Sequence, residues 1–167
     1  MNPHEARTVA EFLASDFEHE MQTTMRVISA IPADHADYRP DAKSKHALGL
    51  ARHITLEDEW MLSSIAEGHF HRPPDDSEAC GIMSPAEAVA QYKARVPAAL
   101  TRVRALPDEK LTATIDMFGM LQLPAVNFLA LAVKHSVHHR GQLSTYLRPM
   151  GGSVPGIYGP SADTKKE

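Results

Sequence analysis

Helical periodicity constrains this chain more than any other feature of its sequence. After Asn2-Pro3-His4-Glu5, which reads as a capping box with proline at the first helical position, apolar residues recur at Val9, Leu13, Phe17, Met21, Met25 and Ile28. Steps of four and three place them on one face, so a first helix is expected to run to about Ala30. A second pattern, with Ser44 as its expected cap, carries Ala47, Leu50, Ile54, Met61 and Ile65 and stops at Gly68. Ser84-Pro85-Ala86-Glu87 is another capping box and opens a third helix of roughly twenty residues, in which Pro97 is expected to cause a kink. Pro124 opens a fourth, ending near Arg148-Pro149.

Between these patterns lie connectors. Pro32 to Asp41 has two prolines and no period, and His69 to Met83 contains Pro73-Pro74, paired aspartates and Gly81. Pro107 to Leu121 shows only a weak β-like run around Leu111 to Met117. Four long helical patterns without clear strands predict an all-α fold, a four-helix bundle. The long connections on either side of the middle pair favour an up-down-down-up order with long crossovers as much as simple up-and-down. The expected division is one bundle over residues 1–150, followed by a Gly/Pro-rich tail over 151–167.

With 167 residues, 43% hydrophobic and 23% charged, one core is expected to bury roughly 70% of the unfolded chain's surface. Such a core needs neither disulfide nor metal to stay folded, so any metal would be there for chemistry. The formal charge of -4 and the lack of a basic run longer than Lys165-Lys166 argue against nucleic acid. Cys80, the single cysteine, precludes an intramolecular disulfide and fits a reducing compartment, with the cytoplasm as the default. The apolar stretch Phe128 to Val133 is far short of the ~20 residues of a membrane helix, so no membrane partner is expected.

Ten histidines are a high share, and three of them fall within 135–139. On a helical wheel His135 and His139 lie with Phe128, Ala132, Leu143 and Tyr146 inside an arc of about 80°, whereas His138 falls about 60° to the other side of His135. Imidazoles at i and i+4 on one face can reach a single ion. On the second helix His53 and Glu57 flank the apolar stripe. A histidine there, facing the pair on the fourth helix, would supply three nitrogens and leave coordination positions open, as in a catalytic site. The ordinary alternative is a set of core histidines satisfied by hydrogen bonds. It suits a lone histidine better than an i, i+4 pair, because two buried polar rings without partners cost several kcal/mol. Neutral imidazole suits zinc, nickel, iron or copper.

The run Lys134-His135-Ser136-Val137-His138-His139-Arg140-Gly141-Gln142-Leu143, with Tyr146-Leu147-Arg148 and Gly151 after it, resembles the fourth-helix signature of the DinB/YfiT-like metalloprotein superfamily. So does Ala51-Arg52-His53-Ile54-Thr55-Leu56-Glu57-Asp58-Glu59-Trp60, and Val154-Pro155-Gly156-Ile157-Tyr158-Gly159-Pro160-Ser161-Ala162-Asp163 is similar to the tail of one DinB branch. The resemblance implies an up-down-down-up bundle, frequently a homodimer, with one divalent ion on His53, His135 and His139, zinc or nickel foremost. It also implies a superfamily that includes thiol-dependent transferases and isomerases, in which the ion activates the thiolate of a low-molecular-weight thiol; transferase chemistry on a small-molecule substrate is the reading expected here. A metal-dependent hydrolase and a non-catalytic metal-binding protein of the stress response remain as alternatives. Glu57 stands either as a general base or fourth ligand, or as a carboxylate orienting an imidazole. Tyr146, on the ligand stripe, is a candidate for substrate binding. Met21, Met25 and Met61 can serve either core or dimer interface.

Overall fold

The computed structural model describes residues 1–164; Lys165, Lys166 and Glu167, at the end of the expected tail, lie outside the described residues. In chain order the elements are α1 (Pro3–Ser29), a short 3-10 turn (Ala33–His35), α2 (Ala47–Glu67), a second 3-10 turn (Glu78–Cys80), α3 (Pro85–Arg104), α4 (Asp108–Thr112), β1 (Thr114–Met117), β2 (Leu121–Pro124) and α5 (Ala125–Leu147). α1 and α2 each pack against both α3 and α5, so the four long helices form a closed ring around one core.

Local chemistry sets the helix ends. The Asn2 side chain accepts from the Glu5 amide at 2.9 Å while Glu5 accepts from the Asn2 amide at 2.9 Å, completing the expected capping box. For α2 the cap is His46 rather than Ser44: the Gly49 amide donates to His46 Nδ1 at 3.1 Å. Ser44 instead donates its hydroxyl to Asp41 within the preceding turn. Gly68 closes α2 in the left-handed conformation (φ 77°), where a side chain would be strained. α3 continues through Pro97 as one helix.

The buried face of α1 is rotated slightly from the one its large apolar residues suggest. Ala6, Ala10, Ala14, Phe17 and Met21 are buried, whereas Val9, Leu13 and Met25 are partly buried at the edge of the core. Alanine is weakly apolar, so it does not dominate a periodicity argument, yet its small side chain permits the closest approach between helices. Met21 and Met61 are both core residues.

The all-α expectation is corrected by a small antiparallel hairpin. Thr114 pairs with Pro124, Ile115 with Leu123, Asp116 with Gln122 and Met117 with Leu121. Four-residue strands are too short to show convincing alternation, and a lone two-stranded ribbon is marginal in water. This one is anchored by Ile115, which is buried, and by α5, whose first turn follows β2 directly. Its turn takes left-handed backbone at Phe118 (φ 56°) and Gly119 (φ 72°), and the Gly119 amide donates to Asp116.

A buried ion pair ties α1 to α5. Arg140 donates to Glu20, and its other terminal nitrogen donates to the Tyr158 hydroxyl at 2.6 Å, holding the segment after α5 against the helices. Gly152 supports that docking, because a Cβ there would lie 2.9 Å from the carbonyl oxygen of Ala30. Removing one partner of a buried pair strands the other charge in a low-dielectric setting. Glu20→Ala is therefore expected to cost about 3–5 kcal/mol in denaturant unfolding. The double variant Glu20→Leu/Arg140→Met should lose clearly less than the two single losses added together.

Candidate metal centre

His53 comes from the middle of α2, and His135 and His139 from successive turns of α5, two helices that pack against each other. One donor nitrogen of each lies within 4.8 Å of the others. The rings pack edge to face or tilted, with centroids 4.6 Å apart for His53 and His139, 5.3 Å for His53 and His135, and 4.5 Å for His135 and His139. His138 is exposed, as the wheel requires. The His53 and His135 side chains retain 18% and 23% of their accessibility, so the cluster sits at the edge of the core and meets solvent.

Partners on the far side of two of the rings fix which nitrogen faces the cluster. His53 Nδ1 donates to Asp76 Oδ2 at 2.9 Å, and His139 Nδ1 donates to Gln142 Oε1 at 3.1 Å. In neutral rings both Nε2 atoms therefore carry lone pairs, and these two atoms stand 3.3 Å apart. Facing lone pairs repel unless a proton or a cation lies between them. The third ring makes the same point differently. His135 Nδ1 and Asp58 Oδ1 are buried without hydrogen-bond partners and lie 4.0 Å apart, so a small rotation of the imidazole would join them and turn Nε2 toward the cluster. The donor set, three imidazoles with a carboxylate or amide behind each, fits a divalent transition ion.

Asp58 is itself held firmly. Its Oδ2 accepts from the Tyr92 hydroxyl at 2.8 Å and from Ser136 Oγ at 2.7 Å, linking α2, α3 and α5 behind His135. Burial, and then the Asp58 charge, push the Tyr92 phenol well above its ordinary range, so it remains a donor. Asp76 lies in the connector between α2 and α3. Burial opposes its ionisation, but hydrogen bonds from Lys45 and His53 outweigh that and hold its carboxyl below the ordinary value.

Neither Asp76 nor Asp58 follows from the sequence reading as a support of the cluster, and the bond from His139 to Gln142 is a finding of the structure. Gln142 carried a signal, being three residues after His139 on the same helix. Asp58 was masked by its acidic neighbours Glu57 and Glu59, and Asp76 by a loop whose contacts no local pattern encodes. Glu57 is half-buried and its carboxyl is pushed up by burial, an effect partly offset by His135. It is not among the donor atoms gathered within 4.8 Å, which come from the three histidines. Tyr146 is buried, its ring edge-on to Tyr38, and its hydroxyl accepts from Gln142 Nε2 at 3.1 Å. Gln142 thus connects Tyr146 to His139.

Burial pushes His139 down to about 4, with Gln142 opposing and the neighbouring imidazoles adding to the shift, and burial also lowers His53. Between the ordinary imidazole value of about 6.5 and about 4, the unfolded chain binds a proton that folded His139 refuses. The metal-free protein should therefore lose stability as pH falls through that window. Thermal unfolding from pH 7 to pH 4 in chelator checks this. His139→Asn should show a shallower decline over the same range.

Comparison with known proteins places this architecture in context. The chain is 27% identical over 161 residues to the uncharacterized protein YrdA of Bacillus subtilis, covering 94% of this chain and 92% of that one. Among solved structures, a DinB-like protein from Bacillus cereus superposes with a TM-score of 0.75 at 22% identity, covering 89% of this chain and 97% of the other. The DinB-like protein YjoA of Bacillus subtilis superposes with a TM-score of 0.68 at 23% identity, covering 89% and 99%. These likenesses bear on the fold. The family model for the DinB family matches residues 5–167, and the chain belongs to the DinB family.

Proposed function

We propose that this chain is a divalent-metal-dependent enzyme whose ion is held by His53, His135 and His139, and that its chemistry is that of a thiol-dependent transferase acting on a small molecule. The observation that carries the reading is that Nε2 of His53 and Nε2 of His139 face each other at 3.3 Å while Asp76 and Gln142 hold the opposite nitrogens, which in neutral rings turns both lone pairs toward one point. Zinc and nickel are the ions of choice for nitrogen donors of this kind. When bound, such an ion lowers the pKa of a thiol beside it and so supplies a nucleophile at neutral pH. Among the described residues three donors gather at the cluster without a fourth, which favours exchangeable positions over a closed structural site.

The chain's own residues divide the remaining work. Asp76, Gln142 and, after a small rotation of its ring, the partner of His135 at Asp58 orient the imidazoles. Glu57, with a carboxyl raised by burial, holds a proton at higher pH than an exposed glutamate and serves as the acid or base next to the cluster. Tyr146 acts on the substrate side through Gln142 and His139. The ring of four long helices supports a four-helix bundle; its up-down-down-up order and the division into a bundle over residues 1–150 and a tail over 151–167 rest on the family resemblance and on composition. No helix among the described residues is long and apolar enough to cross a membrane, and we place the protein in the cytoplasm as a homodimer. Sedimentation at micromolar concentration should return the dimer mass; a monomer alone would remove that assignment.

Alanine at His53, His135 or His139 should sharply reduce metal occupancy while leaving helical content largely intact, since the core does not need the ion. Asp76→Ala should weaken metal affinity by roughly 10–100-fold, the usual range for a residue that orients a ligating imidazole. The chemistry is tested in the cobalt-substituted protein carrying Cys80→Ala, titrated with bacillithiol, mycothiol, glutathione and cysteine. A new sulfur-to-cobalt charge-transfer band with one of them supports the transferase and identifies its thiol. No band with any would move the assignment to a metal-dependent hydrolase or to a non-catalytic metal-binding protein of the stress response.

A further inference from the structure

A second group of donors lies about four turns along α2 from His53, roughly 20 Å away. Glu67 is the last residue of α2, and Gly68 turns the chain in the left-handed conformation. His69 and His71 then flank Phe70 in irregular backbone. Phe70 turns inward against Trp60 and Phe128, which leaves both imidazoles on the outer side with Glu67. His69 Nε2 lies 2.8 Å from His71 Nε2, which in turn lies 3.0 Å from Glu67 Oε2. The three residues each contribute one donor atom to a group within 4.8 Å.

Each of these donors is aimed by a separate contact. His69 Nδ1 lies 3.3 Å from the carbonyl oxygen of Glu67 and donates to it, which leaves the lone pair of the neutral ring on Nε2. Arg102 donates to Glu67 Oε1 at 2.7 Å, fixing the carboxylate with Oε2 toward the imidazoles. The Trp60 indole N–H donates to the carbonyl oxygen of His71 at 3.1 Å and holds the backbone beneath that ring. With a hydrogen-bond chain alone, the single proton on His71 Nε2 would be shared between His69 Nε2 and Glu67 Oε2. A cation in the same place satisfies all three donors at once.

We propose that Glu67, His69 and His71 form a second, surface binding site for a divalent transition ion, independent of the triad on α2 and α5. Two imidazole nitrogens and one carboxylate oxygen select a borderline ion such as zinc, nickel or copper over magnesium or calcium. Binding there clamps the segment after α2 to the helix end and, through Trp60, Phe70 and Phe118, steadies the hairpin tip packed beside it.

The test is equilibrium dialysis against excess Zn2+, with bound metal measured by mass spectrometry, for the full chain and for His69→Ala/His71→Ala. Both side chains are exposed, so the variant should keep the parent's circular dichroism spectrum. It should bind one ion fewer per chain. Equal stoichiometry in the two proteins overturns the proposal. The reading is a difference: if the triad held no ion, the parent would bind one and the variant none, so the two assignments fail separately. In NMR spectra of the parent, substoichiometric Ni2+ should broaden the ring-proton signals of His69 and His71. Signals that stay sharp to saturation would overturn the site even if dialysis were confounded by an unfolded variant.

Discussion

The buried carboxylate of Asp58 is the interaction on which this architecture turns. It is fully buried, and burying a charge is costly unless hydrogen bonds replace the lost water. Tyr92 from α3 and Ser136 from α5 supply two of those bonds, so α2 can keep an aspartate on its inner face only while α3 and α5 are in register. Serine at 136 and histidine at 135 then face one carboxylate from adjacent positions on α5. The network that aligns three helices thus ends 4.0 Å from one imidazole of the cluster, whose Nδ1 has no hydrogen-bond partner of its own.

The helices were legible because their signals are local. The capping box at Asn2, the glycine stop at Gly68 and the i, i+4 spacing of His135 and His139 all act within one or two turns, and the structure places each where those rules require; Ser84 caps α3 as well, but Glu87 returns to the Met83 amide instead of closing the expected box. His46 displaced Ser44 as the cap of α2 because an imidazole nitrogen can accept from an amide as a hydroxyl oxygen does. The hairpin was lost because its strands are too short to reveal a period. Residues supporting the cluster divide in the same way: Gln142 follows from helical spacing, whereas Asp76 meets His53 across 23 positions of chain and could be found only in three dimensions.

Two buried arginines extend the same logic to the edges of the molecule. Arg52 donates to the carbonyl oxygen of Ile82 at 2.6 Å and fixes the end of the connector that leads into α3. Arg140 joins Glu20 and Tyr158, so one side chain secures both the α1–α5 contact and the segment that follows α5. Neither charge sits at the cluster. Arg52 pins irregular backbone to α2, and Arg140 holds a side chain of the segment after α5 to the helices, each through a directional, charged donor.

The placement of Asp76 has a thermodynamic corollary. His53 is oriented from a connector rather than from a helix, and Lys45, ahead of α2, grips the same carboxylate. Whatever stabilises the conformation of that connector must by linkage raise the affinity of His53 for its ligand, and the ligand must stabilise the connector to the same extent. A molecule that settles against the part of the connector that carries Asp76, away from His69 and His71, would therefore be felt at His53 without touching it. The connector thus offers a route for exchanging free energy between the surface around Asp76 and the histidine cluster.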